Sequence, residues 1–198
     1  GGIDTINLSN SKWDWYVELP YVNSSSIHGE YVGIALTDEN DNAPTDLIWL
    51  IGEIENIVGG SGDDIFVGNH LNNYIDGGSG SDFIYGMDAN NILVGGFGRD
   101  HFTISYGGSQ NVIKDFNLAE DTWSIMDRGG NDVSYLSYTS NDNLNGHLEY
   151  NWSDGTSLVF EGLKNNQDQQ YSYLFAEDDN SEPSDFDYVR LNLQEGQF

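Results

Sequence analysis

A nine-residue repeat occupies the segment from Gly59 to Thr103 and restricts the folds that this chain can adopt. Divided into blocks of nine, the segment reads GGSGDDIFV, GNHLNNYID, GGSGSDFIY, GMDANNILV and GGFGRDHFT. The first, third and fifth blocks match the template G-G-x-G-x-D-x-U-x at every fixed position, where U is a large apolar residue. The second and fourth blocks keep the first Gly, an Asn at position six and the apolar residue at position eight.

Each block combines six small or polar residues, which favour a turn, with three residues that favour a strand. The chain is therefore predicted to alternate turn and strand, and two blocks complete one coil of eighteen residues. Position eight should face inward because side chains alternate along a strand. The inward residues are then Phe66, Ile84 and Phe102 in one sheet and Ile75 and Leu93 in the other. Alternate turns stack, which places 59–64, 77–82 and 95–100 on one edge and 68–73 and 86–91 on the opposite edge.

The glycine-rich turns have the pattern of an oxygen-based metal site. Gly at positions one, two and four permits positive φ angles, which direct several backbone carbonyls toward one point. The Asp at position six adds a carboxylate at the same point, in Asp64, Asp82 and Asp100. Oxygen ligands, the absence of Cys and the isolated His residues favour Ca²⁺ over zinc or copper. Gly and Asp also mark ordinary turns, but three intact turns at regular spacing indicate at least two calcium ions, with Asp82 shared between them.

Four further residues are weaker candidates for calcium binding. Asn73 and Asn91 bring neutral oxygens to the opposite edge, where sites are expected to be weaker or to need help from outside. Asp115 and Asp121 follow the last repeat, on either side of a turn. These two carboxylates either close the last calcium turns or belong to an ordinary acidic turn, and the sequence leaves both readings open.

The repeat register also extends backward from Gly59. It places Asp46 and then Glu55 at position six of two degenerate blocks, where both are candidate oxygen donors. The same register predicts that Ile48 and Ile57 face inward and that the roll begins near Asp41.

The flanking sequences are rich in strand patterns. Residues 1–9 resemble the end of another repeat, and residues 13–36 contain two strand-like runs. The turn at 153–155 separates two alternating runs and indicates a hairpin. Residues 177–187 are acidic and poor in apolar groups, so a mobile loop is expected, and YVRLNL near the end is a candidate last strand.

The sequence therefore predicts an all-β fold, in which a parallel β-roll of nonapeptide repeats is flanked by antiparallel strands forming a sandwich-like body. Outward residues such as Ile65 and Ile92 are apolar, so flanking strands should cover at least one face, or else the face meets a partner. The 5 Trp and 12 Tyr are assigned to the strand core, with a sugar-stacking platform as the alternative. Residues 1–198 are predicted to form one module, with N-terminal strands in 1–40, the roll in 41–103 and capping strands with an acidic tail in 104–198.

The charge balance limits the partners of this module. The chain has 33 acidic and 6 basic residues, and its net charge of −27 argues against nucleic acid and anionic membranes. Calcium between paired carboxylates lowers their repulsion, so folding should depend on calcium. Such a chain stays unfolded where cytosolic calcium is low and folds outside the cell. No apolar run reaches the roughly 18 residues of a membrane span, and Gly1 follows no initiator Met or signal peptide, which indicates a piece of a longer chain.

We recognise no catalytic motif in the sequence. The residues His28, His70, His101 and His147 are isolated, and no H-E-x-x-H, G-x-S-x-G, P-loop or Cys nucleophile is present. We therefore expect a non-catalytic module.

The repeats resemble those of RTX proteins. The segments GGIDTINLS, IENIVGGSGDDIFVGN and NVIKDFNLAEDTWSIMD are similar to the C-terminal domain of serralysin-type metalloproteases. The resemblance implies a parallel β-roll, calcium in the stacked turns and export through a type I secretion channel. It also implies that backbone carbonyls of the glycine-rich turns join the position-six carboxylates as ligands. The glycines concerned are Gly60, Gly62, Gly78, Gly80, Gly96 and Gly98.

The expected function is thus a non-catalytic calcium-binding module of a larger secreted protein, which is extracellular and folds on calcium binding after type I export. Its expected partners are calcium, the rest of the parent polypeptide and the secretion machinery. The protease half and its zinc site are absent from this sequence, so no proteolysis is inferred for it. The alternative is a calcium-dependent carbohydrate-binding module, similar to the β-roll modules of secreted alginate epimerases.

Overall fold

The computed structural model describes residues 2–21, 32–37, 47–127, 130–131, 133, 138–142 and 147–163. Within these ranges every regular element is a β-strand, and none of the described segments forms a helix long and apolar enough to cross a membrane. The strands are β1 (Thr5–Asn7), β2 (Trp15–Glu18), β3 (Val32–Thr37), β4 (Leu47–Ile51), β5 (Asn56–Val58), β6 (Ile65–Val67), β7 (Tyr74–Ser79), β8 (Phe83–Tyr85), β9 (Asn90–Phe97), β10 (His101–Ser105), β11 (Gln110–Ile113), β12 (Thr122–Met126), β13 (Tyr138–Asp142), β14 (Leu148–Trp152) and β15 (Ser157–Phe160).

The strands form two sheets, between which the chain passes back and forth. Sheet A has the order β1-β5-β7-β9-β11-β15-β14-β13, and sheet B has the order β12-β10-β8-β6-β2-β3-β4. Neighbours from β1 to β11 in sheet A and from β2 to β12 in sheet B pair in parallel, as successive coils of a roll require. Strand β15 also pairs in parallel with β11, and the remaining pairs, β2–β3, β3–β4, β14–β15 and β13–β14, are antiparallel. The predicted all-β roll with antiparallel flanking strands is therefore confirmed.

The core of the roll consists of the position-eight side chains. Register pairs such as Phe66 with Ile84, and Ile84 with Phe102, place these residues in one column on sheet B. The pairs of Ile57 with Ile75, and Ile75 with Leu93, form the facing column on sheet A. All six side chains are buried, as the period-two pattern predicts. Burying one such side chain contributes about 1.5–3 kcal/mol, so the columns hold the two sheets together.

The N-terminal limit of the roll differs from the expected one. The first parallel strands are β1 and β2, whereas β4 pairs antiparallel with β3 and takes no part in the coil. The register pairs of Ile48 with Ala35, Ala35 with Val17 and Val17 with Phe66 place Ile48 on the inward face of sheet B, as predicted, but its side chain keeps 46 % of its surface exposed. The physical reason is that β3 and β4 extend sheet B beyond β2, while sheet A ends at β1, so no described strand lies opposite Ile48. Residues 38–46, including Asp41 and Asp46, lie outside the described residues.

The C-terminal limit of the roll also differs, since the coil continues past Thr103. Strand β11 pairs with β9 and β12 pairs with β10, both in parallel. In the repeats the register partners are 18 residues apart, but Asn111 follows Asn91 by 20 residues and Asp121 follows Asp100 by 21. These insertions in the turns hide the last coil from a search for a nine-residue period.

The predicted hairpin around 153–155 is present as β14 and β15, and β15 extends sheet A beside β11. It closes the end of the roll with an aromatic cluster, in which the ring centroids of Trp123 lie 5.8 Å from Tyr150 and 5.9 Å from Phe160. Phe116 contacts Phe160 edge to face, with their ring centroids 4.8 Å apart. These aromatic residues are buried, so they belong to the core and not to a sugar platform. The acidic stretch 177–187 and the YVRLNL run lie outside the described residues.

The described flanking strands lengthen the two sheets at their ends and do not cover the outer faces of the central repeats. Ile65 on sheet B and Ile92 on sheet A retain exposed fractions of 44 % and 40 %. The expected cover of these outward residues is therefore not supplied by the described strands.

Candidate metal centre

The stacked turns form two edges of different chemistry. We call the aspartate edge the row of position-six residues Asp64, Asp82, Asp100 and Asp121 with their turns. We call the asparagine edge the row Asn73, Asn91 and Asn111 with theirs. All seven side chains are buried, with exposed fractions of 5 % or less. A buried row of amides is easily satisfied by hydrogen bonds, whereas a buried row of carboxylates carries charge that needs compensation.

One carboxylate oxygen of each aspartate joins its turn to the preceding one. The backbone N–H of Asp64 donates to Oδ1 of Asp82 at 2.8 Å, and that of Asp82 donates to Oδ1 of Asp100 at 3.0 Å. The same bond continues from Asp100 to Oδ1 of Asp121 at 3.0 Å, and from Trp15 to Oδ1 of Asp64 at 2.8 Å. The aspartates thus form a continuous ladder along the edge, which fixes each carboxylate in place.

The second oxygens are left with little or nothing to bond. Oδ2 of Asp82 and Oδ2 of Asp100 are buried and have no hydrogen-bond partner. Oδ2 of Asp64 accepts only a 3.4 Å bond from the N–H of Gly60. Buried polar atoms nearly always have a hydrogen-bond partner. Two buried carboxylate oxygens without one, in neighbouring turns, therefore indicate a site that a cation would fit.

The pKa values of these carboxyls also indicate that their buried negative charge is not compensated by other groups. The pKa of Asp82 is raised to about 8, chiefly by burial and also by the charges of Asp64 and Asp100, against one hydrogen bond from the backbone of Asp64 that lowers it. Burial likewise raises the pKa of Asp64 and of Asp100 to about 6, and it raises the pKa of Asp121. In the absence of a cation the ionised form is therefore disfavoured in every turn of the aspartate edge.

The glycines of the repeat explain why the carboxylates can approach their turns so closely. Gly78 and Gly80 have φ angles of 99° and 129°, which side chains rarely adopt, and Gly96 and Gly98 repeat this conformation. Gly60 and Gly62, in the first turn, do not have φ angles in this region. Position one differs from the expectation, because Gly77 and Gly95 have no positive φ. Their role is spatial, since a Cβ at Gly77 would overlap Oδ2 of Asp82.

Asp115 and Asp121 both join the aspartate edge. The carboxylate of Asp115 accepts the N–H of Gly95 at 2.9 Å and of Gly96 at 2.8 Å, one on each oxygen. Asp121 continues the ladder, and its Oδ2 accepts the N–H of Asn117 at 2.8 Å. Both carboxylates therefore bond to backbone N–H groups of the last repeat turn, 95–100.

The asparagine edge is satisfied internally. Nδ2 of Asn91 donates to the carbonyls of Gly86 at 2.9 Å and Asp88 at 3.2 Å, and to Oδ1 of Asn111 at 2.9 Å. Nδ2 of Asn73 donates to the carbonyl of Glu55 at 2.9 Å. The amides therefore bond directly to oxygens that, on the other edge, would require a cation.

Glu55 lies at the N-terminal end of the asparagine edge, where its carboxylate accepts the N–H of Asp4 at 2.8 Å. The pairing of Thr5 with Asn56 in β1 and β5 places Asp4 next to Glu55.

Asn111 was missed by the sequence pattern because of the insertion before it. Its only signal is an Asn directly before an apolar pair.

The donor set fits calcium. Among the described residues, no three His, Cys, Asp or Glu side chains cluster in a way that could hold a metal ion. A cation at the aspartate edge would therefore need oxygen ligands other than these side chains, and a hard cation with many oxygen ligands fits such a set. The two orphaned oxygens, Oδ2 of Asp82 and Oδ2 of Asp100, supply the negative charge.

Comparison with known proteins agrees with this chemistry. The RTX calcium-binding nonapeptide repeat family matches residues 52–70 and 71–102, with 4 copies of the repeat. A search of the curated proteins finds no match. The matched residues carry most of both edges, including Asp64, Asp82 and Asp100. Residues 52–102 of this chain are therefore RTX calcium-binding nonapeptide repeats.

Proposed function

We propose that this chain is a non-catalytic module of a larger secreted protein, which folds by binding calcium at the aspartate edge once it is outside the cell. The observation that carries the proposal is the pair of buried carboxylate oxygens without a partner, Oδ2 of Asp82 and Oδ2 of Asp100. A fold that contains such groups is unfavourable until a cation arrives, so the binding free energy of the ion becomes folding free energy.

At least two ions would be held, one between the turns of Asp64 and Asp82 and one between those of Asp82 and Asp100. Each ion would take carboxylate oxygens from both turns and carbonyl oxygens from the glycine-rich segments, at Gly60, Gly62, Gly78, Gly80, Gly96 and Gly98. The hydrogen-bond ladder through Oδ1 fixes the distance between turns, so that Oδ2 remains available. Asp115 and Asp121 would hold the last turn in shape from the C-terminal side.

The charge of the chain supports the proposed place of folding. With a net charge of −27, compaction is opposed by self-repulsion, and bound calcium reduces it. Low calcium would keep the chain unfolded and competent for export through a type I channel, and high calcium outside would fold it. The secretion route rests on the resemblance to RTX proteins, and the likeness to serralysin-type domains rests on the segments quoted above.

The experiment is a calcium titration of the chain, followed by far-ultraviolet circular dichroism after complete removal of calcium. We expect little β-structure without calcium and cooperative recovery of the β-signal as calcium rises to millimolar concentration. Magnesium at the same concentration should be much less effective, because it demands near-ideal octahedral geometry and loses water reluctantly. An identical spectrum with and without a chelator would refute the proposal.

One observation favours a second candidate, calcium-dependent carbohydrate binding. The outer face of sheet B carries an open groove of about 780 Å³, lined by Tyr16 and Ile34 with the carboxylates of Asp14 and Asp63 at one side. Trp49 pairs with Ile34 across β3 and β4 and is 64 % exposed. An aromatic surface beside hydrogen-bond acceptors is a usual arrangement for a polar organic ligand.

Binding of neutral oligosaccharides to the calcium-loaded chain tests the second candidate. We expect Tyr16→Ala and Trp49→Ala to weaken binding at least tenfold and to leave the calcium titration unchanged. If the unmodified chain binds none of a panel of neutral and acidic glycans, the groove has no such role.

A further inference from the structure

We propose that the asparagine edge is closed without a metal ion, because the side-chain amide of Asn91 takes the place of a calcium ion in its turn. Residue identity at position six then decides which edge of the roll binds calcium. The inference rests on the proposed calcium sites of the aspartate edge and adds what excludes the ion from the other edge.

The side chains of Asn91 and Asp82 adopt the same position in their turns. Oδ1 of Asn91 accepts the N–H of Asn73 at 3.0 Å, just as Oδ1 of Asp82 accepts the N–H of Asp64 at 2.8 Å. The second atom of each group lies against the first Gly of its own turn. A Cβ at Gly86 would sit 3.0 Å from Nδ2 of Asn91, and a Cβ at Gly77 would overlap Oδ2 of Asp82. Nδ2 of Asn91 is therefore the counterpart of the orphaned Oδ2.

The bonding of these two atoms is opposite. Oδ2 of Asp82 is an acceptor without a donor. Nδ2 of Asn91 is a donor whose two hydrogens are shared by three acceptors, namely the carbonyls of Gly86 and Asp88 and Oδ1 of Asn111. A carboxylate and a carbonyl repel each other unless a cation lies between them, whereas an amide N–H bonds to the carbonyl directly. The amide N–H groups of Asn91 thus bond to the carbonyls that an ion would coordinate in the other turns. A cation at this position would face an N–H donor.

The backbone of this turn has positive φ angles at positions two and four, as two turns of the aspartate edge do, but without their glycines. Met87 and Ala89 stand at positions two and four and have φ angles of 59° and 67°. Gly78 and Gly80 stand at the same positions of the turn before Asp82 and also have positive φ. The turn 86–91 therefore shares the sign of these backbone angles with two turns of the aspartate edge, and it differs from them in its smaller φ values and in the amide at position six.

The test exchanges amide and carboxylate between the two edges and counts calcium ions. We expect Asn91→Asp to bind one additional ion by native mass spectrometry, and to raise by about one the slope of the logarithm of the folding constant against the logarithm of the calcium concentration. The matched variant Asp82→Asn should lower both the ion count and the slope, because it places an amide where the ion belongs. Unchanged counts and slopes in the Asn91→Asp variant would overturn the inference.

A second measurement uses the unmodified chain, in case a variant fails to fold. Crystals grown in calcium should show anomalous density at the aspartate edge and none within coordinating distance of Asn73 or Asn91. Density beside Asn91 would overturn the inference while leaving the proposed function intact. Density at neither edge would refute the proposed function itself, so the two failures are distinguishable.

Discussion

At the level of single residues, Asp82 links the fold to both protons and calcium. Its pKa of about 8 means that the metal-free fold holds a proton that the unfolded chain, with an ordinary Asp pKa near 4, has already released at neutral pH. Between these two values the folded state binds more protons than the unfolded state. The stability of the metal-free fold therefore falls as the pH rises. Asp64 and Asp100, with pKa values of about 6, act in the same direction over a narrower range.

We expect the calcium-free chain to gain β-structure when the pH is lowered from 8 to 5. At pH 5, where the protonated metal-free fold is favoured, calcium must displace the proton of Asp82, so binding should release protons. At pH 8 the unfolded chain has already lost this proton, so calcium-driven folding should release few protons or none. Isothermal titration calorimetry in buffers of different ionisation enthalpy measures that release. In the Asp82→Asn variant the release should be smaller, and an equal release in both proteins would contradict the assignment.

A second prediction at this scale concerns the sharing of Asp82. Because its carboxylate lies between the turns of Asp64 and Asp100, Asp82→Ala should impair both neighbouring ions at once. We expect the calcium count to fall by about two and the calcium concentration for half-folding to rise at least tenfold. Asp76→Ala is the matched control, since Asp76 lies on strand β7 and its carboxylate accepts a 3.2 Å bond from the Tyr74 hydroxyl. Similar losses in both variants would indicate a general effect of charge and not a shared site.

At the level of the turn, backbone conformation sets which residues are tolerated. Gly98 has a φ of 132°, and a Cβ there would overlap the carbonyl oxygen of Gly80 in the adjacent turn. Conformations of this kind cost roughly 1–3 kcal/mol for residues other than Gly. Gly98→Ala should therefore lower the Tm of the calcium-loaded chain by roughly 2–12 °C.

The contrasting variant is Ala89→Gly, in the turn of the asparagine edge. Ala89 already has a φ of 67°, so Gly relieves strain while adding freedom to the unfolded chain, and the Tm should stay the same or rise slightly. Thermal unfolding in saturating calcium compares the two variants. A larger loss for Ala89→Gly than for Gly98→Ala would contradict the backbone argument.

The strands and turns of the repeats were predictable because their chemistry is periodic. The inward column of Phe66, Ile84 and Phe102 follows from position eight alone, and the stacking of Asp64, Asp82 and Asp100 follows from the spacing. Features that depend on an interrupted period were not predictable. Asn111 lies after a longer turn, and Asp121 could be placed on the aspartate edge only once the pairing of β10 with β12 was known.

Two other features depend on what lies across the fold and not on local sequence. Ile48 belongs to an alternating pattern, but β4 extends sheet B beyond the end of sheet A, so the pattern does not lead to burial. Asp115 acts through the N–H groups of Gly95 and Gly96 in the preceding turn, and only the folded backbone shows that contact. The sequence shows that the side chains of the asparagine edge are neutral. The direct hydrogen bonds from the amide of Asn91 to Gly86 and Asp88 could be seen only in the structure.

At the level of the whole molecule, two different forces oppose folding without calcium. One is the diffuse repulsion among 33 acidic and 6 basic residues, which ordinary salt screens over a Debye length of about 3 Å at 1 M. The other is the local cost of burying Asp82 and Asp100 with an unpaired oxygen each, which salt in the surrounding water does not reach. The two forces can be separated because only the second requires an ion inside the fold.

We therefore expect 1 M sodium chloride to leave the calcium-free chain largely without β-structure at pH 8, while a few millimolar calcium at low salt restores it. Added salt has two opposite effects on the calcium concentration needed for half-folding. It lowers this concentration modestly if its main effect is to screen the repulsion between acidic residues. It raises this concentration if its main effect is to screen the attraction between calcium and the chain. Circular dichroism over a grid of both ions resolves the two terms. Full recovery in sodium chloride alone would show that net charge, and not the buried carboxylates of the aspartate edge, is what keeps the chain unfolded.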